Sequence, residues 1–337
     1  MLAVLTLASF IVGQAQKDSP TLPQKVANQP AQAGPELQMQ PPILDAGARL
    51  NPLKIALLHW YVADTSTAVT VGSQPYGLCF DGANIWTANF ADNTVTKVQA
   101  NTGQVLGTFK VGSQPFGVTF DGANVWVSNE LDNSVTKLRA RDGKNLGAFA
   151  AGNYPGWMAF DGQNLWIPNA GSPNGSVTKL RAADGKSVGN FPVSNDPIAA
   201  AFDGTNVWVV GQGFPGTVTK LRASDGTILG TFTVGNEALG IAFDGANIWA
   251  ANRGDGTVTK LRASDGAVLG TFPTPNGAYG LAFDGTYIWV SGDSYAWVLR
   301  AGDGAQAGFL KLQATGVAFD GAYVWMAKTN SNRVDKF

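Results

Sequence analysis

The chain has one cysteine and one histidine among 337 residues. A lone Cys79 excludes an intramolecular disulfide and a cysteine metal cluster. It stands where later repeats carry Thr119, Ala159, Ala201, Ala242, Ala282 and Ala318, so a small buried residue is expected there. His59 precedes the repeats, which leaves the repeat body of one chain without a histidine metal ligand or a histidine general base. Charge is sparse: Asp, Glu, Lys and Arg make up 14% of the chain and the formal net charge is −1. No global field attracts nucleic acid or an anionic membrane, and no nucleic-acid partner is expected. The apolar run Leu2 to Val12 is too short to cross a bilayer, so no transmembrane anchor is expected. Gly13-Gln14-Ala15 ends that run with the small residues a signal peptidase requires, although no Lys or Arg precedes it. Residues 1–15 therefore read as a signal peptide, and a secreted or periplasmic location is expected. Residues 16–61 read as a Gln-, Pro- and Ala-rich flexible linker that ends in the short apolar segment Pro52 to Tyr61.

What the chain does have is a repeat. Phe80-Asp81-Gly82-Ala83-Asn84-Ile85-Trp86 returns with its Asp at 121, 161, 203, 244, 284 and 320, at intervals of 40, 40, 42, 41, 40 and 36 residues. A period near 40 with several strand-like runs per unit marks a propeller. In the first unit, Gly77 to Phe80, Ile85 to Asn89, Thr94 to Val98 and Leu106 to Phe109 read as four short antiparallel strands joined by Gly- and Asn-bearing turns. We call them inner, second, third and outer. The fold expected over residues 62–337 is an all-β, seven-bladed propeller of four-stranded antiparallel blades. The seventh unit ends after its third strand, and Thr67 to Val71 matches the outer-strand pattern. An N-terminal strand thus completes the last blade and closes the ring. The third strands carry Lys97, Lys137, Lys179, Lys220 and Lys260 with Arg139, Arg181, Arg222 and Arg262. We read these as charged strands that resist edge pairing, balanced by Asp-Gly turns, and not as a phosphate-binding belt.

Unit length changes only in the second-to-third and outer-to-inner connections, which lie on one face of an antiparallel blade. Ala170 to Gly175, Gln212 to Gly216, Asp293 to Tyr295 and Leu312 to Thr315 hold these differences. Variation gathered on one face of a repeat protein marks a binding face. Its candidate ligand-binding aromatics are Tyr76, Phe116, Tyr154, Trp157 and Tyr279, with Phe90, Phe214 and Tyr295 also on that face. Its candidate charged residues are Glu130, Glu237, Arg253 and Asp293. Trp157 replaces the glycine found at Gly77, Gly117, Gly240, Gly280 and Gly316. It either plugs the channel or offers a ligand platform, and packing is the commoner role of a large aromatic.

The unit V-G-S-Q-P-Y-G-L-C-F-D-G-A-N-I-W-T-A-N, followed by N-T-V-T-K and D-G-x-x-L-G-T-F, resembles the bacterial secreted propellers with YVTN- or NHL-type repeats. That likeness spans residues 66–337 and implies a fold shared with streptogramin B lyases and propeller lactonases. The lyases of this fold class use His and Glu around the axis with a divalent metal. No histidine follows His59, so none of those catalytic residues carries over. Metal-type lactonases use acids and asparagines around a central ion. Asn89, Asn129, Asn169 and Asn252 end second strands here, but Gly211, Gly292 and Lys328 break the ring, and turn formation is the role expected of them. The functional expectation is a binding or interaction module for a protein, peptide or glycan, acting as a monomer, with no catalytic residue and no cofactor. The alternative is a metal-dependent hydrolase or lyase working through acids at the channel mouth, for which a divalent metal would be needed.

Overall fold

In a computed structural model, the chain builds a seven-bladed β-propeller. The structure describes residues 37–38, 67–171, 175–193 and 196–337. The expected signal peptide (1–15), the apolar segment Pro52 to Tyr61 with His59, and most of the linker lie outside the described residues.

Each Asp–Trp repeat generates one blade because its turn is locked at both ends. In blade one, Asp81 Oδ1 accepts the amide N–H groups of Ala83 and Asn84. Asp81 Oδ2 accepts the indole N–H of buried Trp86 at 2.7 Å. All seven Trp indoles make this bond, at 2.7–2.8 Å, to the Asp five residues earlier. A shorter or longer turn would strand a buried indole donor, which is why this turn never varies in length.

Blade one runs Pro75–Phe80 (inner), Asn84–Asn89 (second), Thr94–Gln99 (third) and Val105–Lys110 (outer), paired in that order. Blades two to six repeat the order. Blade seven is made of Val317–Phe319, Val324–Lys328 and Arg333–Lys336, and its outer strand is Thr67–Thr70 from the other end of the chain. Thr67 stands opposite Lys336 and Val69 opposite Val334, with both valines buried. The ring therefore closes as the outer-strand pattern predicts.

The third-strand lysines overturn our reading of them. Lys97, Lys137, Lys179, Lys220 and Lys260 are only 6–8% exposed. Each ammonium lies 4.7–5.2 Å from the ring of its own blade's Trp. Each donates to a carbonyl in the turn between third and outer strands of the next blade, as Lys97 does to Ala140 at 2.7 Å. They tie blade to blade and do not guard an edge, because the third strand is covered by its neighbour and the exposed edge belongs to the outer strand. Blade six has Val298 at this position. Its neighbour, blade seven, takes its outer strand from residues 67–70 and so has no third-to-outer turn to offer a carbonyl. Lys336 restores the tie from blade seven to Ala100 of blade one at 2.9 Å. The arginines behave as expected: Arg139, Arg181, Arg222 and Arg262 pair with Asp142, Asp184, Asp225 and Asp265 of the adjacent turns.

Candidate functional site

The variable face is organised in rings around the axis. Innermost is the residue four places before each repeat's Phe: Tyr76, Phe116, Gly156, Ile198, Leu239, Tyr279 and Thr315. The inner strands approach so closely that a Cβ on Gly156 would lie 2.1 Å from the Ile198 carbonyl oxygen. Blade three therefore keeps its glycine at 156, one place earlier than blades one, two, five, six and seven, and its Trp takes the following position. Trp157 lies over the inner strand of blade four, donating its amide to Ile198 and accepting from the amide of Ala200.

The next ring supports the first. Gln74, Gln114, Tyr154, Asp196 and Glu237 adopt left-handed backbone with φ between 40° and 52°. Non-glycine residues hold that conformation only when their surroundings fix it. Here the carbonyls of these five accept the amides of Phe90, Glu130, Ala170, Gln212 and Arg253. Asn332, Asn93 and Asn133 accept the amides of Gln74, Gln114 and Tyr154 from the preceding blade. The asparagines that end second strands are buried; Asn129, Asn169 and Asn252 accept a backbone amide and donate to third-strand hydroxyls, while Asn89 only donates, to Thr94 and Thr96. Asn129, for example, accepts the amide of Gly112 and donates to Ser134 and Thr136.

On this scaffold the predicted residues fall into two groups. Tyr76, Phe116 and Trp157 form one aromatic chain with Phe90. Ring centroids are 5.1 Å apart for Tyr76–Phe90, 5.6 Å for Tyr76–Phe116 and 3.8 Å for Phe116–Trp157. Phe116 and Trp157 are each 1% exposed, so they fill the mouth and offer no open platform. Glu130 lies beside this cluster; its charge and burial together push the Tyr76 hydroxyl up, burial being the larger cause. Burial pushes the Glu130 carboxyl itself up to about 7.

The second group spans blades five and six. The Arg253 guanidinium donates to Glu237 at 3.2 Å and to the Tyr279 hydroxyl at 2.9 Å, and Tyr279 donates to Asp293 at 2.5 Å. Burial, followed by the bond to Asp293, pushes the Tyr279 hydroxyl up to about 12. A phenol held protonated and committed to a carboxylate is a clamp and not a base. Tyr154 stands apart from both groups, 48% exposed at the rim of the face.

Two further residues stand exposed on this face: Phe214, which the sequence placed there but not among the candidate binding residues, and Leu131, which it did not single out. Phe214 is 76% and Leu131 is 53% exposed. Phe214 lies in the lengthened blade-four loop. Leu131 stands where blade one has Ala91, and that substitution inside a polar loop was its available signal.

The metal reading meets a direct obstacle in the donor set. Among the described residues, no group of three or more His, Cys, Asp or Glu side chains is placed to hold a metal ion. Of the mouth acids, Glu237 is engaged by Arg253 and Asp293 by Tyr279. The described residues do not fit a divalent centre on the axis. Cys79 is buried, and burial with the nearby Asp81 pushes its thiol well up, so it carries no nucleophile.

The chain matches no protein-family model and no curated protein. Among solved structures it is similar to a chain of the Kuenenia stuttgartiensis hydrazine synthase, with a TM-score of 0.70 and 18% identity over 80% of this chain and 96% of that one. It is also similar to a streptogramin B lyase, with a TM-score of 0.69 and 15% identity over the same shares. The fold is common to all three. At such identity a likeness carries architecture and not chemistry. No helix among the described residues is long and apolar enough to cross a membrane.

Proposed function

We propose that the protein is an exported binding module whose variable face engages a macromolecular partner, a protein, peptide or glycan. The observation that carries this reading is the arrangement of that face. Leu131, Tyr154 and Phe214 expose large apolar surface on loops of blades two to four, above a channel mouth filled by Phe116, Trp157 and Tyr279. A filled mouth with apolar residues standing on its rim suits a broad contact surface better than a small-molecule pocket. The Glu237–Arg253–Asp293 side of the face adds charge that would orient a partner without dominating affinity. Export is supported by the apolar run Leu2 to Val12 and the small residues behind it. The hydrolase or lyase reading rests on fold analogy alone, and the donor set does not favour it.

A thermal-shift series on the full chain tests this. A ligand that binds only the native state raises the melting temperature by mass action. Chelator should leave melting unchanged, while a member of a peptide or glycan panel should raise it. Tyr154→Ala with Phe214→Ala should abolish that rise without altering melting of the free protein. A drop with chelator that one divalent metal restores would overturn the reading.

A further inference from the structure

Among the described residues, six blades end, at the outer edge of the disc, in a strand that pairs on one side only. Blade six does not: Leu37 and Gln38 pair antiparallel with its outer strand Gln306–Leu310, Leu37 opposite Leu310 and Gln38 opposite Phe309. Among the described residues no other blade carries a fifth strand.

Blade six is also the blade whose outer strands depart furthest from the repeat. In blades one, four and five the third and outer strands meet through threonine pairs, Thr96 with Thr108, Thr219 with Thr231 and Thr259 with Thr271. In blade six the same register position holds Trp297 opposite Phe309, with ring centroids 5.3 Å apart, and Tyr295 lies 5.4 Å from Phe309. Blades three and five end their outer strands in Pro192 and Pro273, which remove an edge amide. Blade six, like blades one, two and four, has no proline in its outer strand. Its outer strand begins with Gln306 and Ala307, where blades one, four and five begin with the exposed pairs Val105–Leu106, Ile228–Leu229 and Val268–Leu269.

We propose that the outer edge of blade six is a strand-acceptor site whose occupant is the chain's own N-terminal tract around Leu37 and Gln38. The ligand class is an extended segment: main-chain hydrogen bonds supply the attachment and alternate side chains the selectivity. The aromatic backing of Trp297, Tyr295 and Phe309 stiffens the edge against fraying, and the absence of proline leaves its amides free to pair. The same tract continues into Thr67–Thr70, the outer strand of blade seven. One N-terminal segment thereby supplies the outermost strand of two adjacent blades, six and seven.

Hydrogen exchange on the full chain decides this. Protection reports local opening strand by strand. In the native protein, amides of Gln306–Leu310 should exchange on the order of ten-fold more slowly than those of the uncovered outer strands Val105–Lys110 and Ile228–Thr233. Leu37→Pro with Gln38→Pro should raise blade-six exchange to the level of those strands and leave the other blades unchanged. A synthetic peptide of residues 33–42 should then restore protection saturably in the variant and do nothing to the native chain. Equal exchange at the three edges of the native protein would overturn the proposal, as would a peptide that restores nothing.

Discussion

A buried ammonium is tolerable only where its hydrogens find acceptors. Lys220 meets that condition through the carbonyls of Ala263 and Ser264 and the ring of Trp208. Lys220→Met keeps the stem and removes the charge, leaving the Ala263 carbonyl without its donor. We expect a loss of about 1–3 kcal/mol in a denaturant melt. The reverse change is the sharper check. Val298 is 4% exposed beside a blade that has no third-to-outer turn, so Val298→Lys places an ammonium where no such carbonyl waits. It should cost more than Lys220→Met, about 3–5 kcal/mol, and an equal or smaller cost would show that the turn carbonyl is not what holds these lysines. Glu130 gives a prediction in pH. Unfolded, its carboxyl titrates near the usual 4.5; folded, burial keeps the proton on up to about 7. Between those values the folded state binds more protons than the unfolded one, so this group makes stability fall as pH rises through the window. The penalty is absent below about 4.5 and complete above about 7. Melting temperatures of Glu130→Gln should decline less across that window than those of the native chain; parallel curves would remove Glu130 from the account.

The closing strand is the element on which the ring depends. Thr67–Thr70 pairs residue for residue with Arg333–Lys336, and Val69 enters the core formed by blades seven and one. Deleting residues 62–71 should therefore lower the melting temperature of the whole ring and broaden its transition; a variant melting like the intact protein would contradict closure. At this scale much was legible beforehand. The Asp-to-Trp spacing fixes a turn, alternation fixes strand faces, and the spare outer-strand pattern at Thr67 to Val71 fixes closure. Alternation along Thr94-Val95-Thr96-Lys97 could not say what covers the lysine, because its acceptor, Ala140, lies 43 residues away in the next blade. For the same reason Trp157 was visible as an outlier while its backbone pairing to blade four was not. The Arg253–Tyr279–Asp293 chain joins residues that are each unremarkable in their own repeat and meet only because the blades stand side by side.

For the molecule as a whole, the two faces of the disc are built differently. One carries turns of constant length, locked by Asp81 and its equivalents and by the Arg–Asp pairs. The other carries the length changes, the left-handed residues, and Leu131, Tyr154 and Phe214. Because the mouth is filled, the recognition proposed for this face would work across its surface and not down the axis. The outer edges of the blades form a third surface, with the strand-acceptor edge of blade six as its exceptional sector. The most direct test of the two-faced account places a photo-reactive amino acid at Phe214 on the variable face, at Ala83 on the constant face and at Val188 on the outer edge, in the full chain made in its native cells. A discrete adduct from Phe214, with none from Ala83 or Val188, is the predicted result. Adducts of equal yield from all three positions, or a discrete adduct from Ala83 alone, would contradict it.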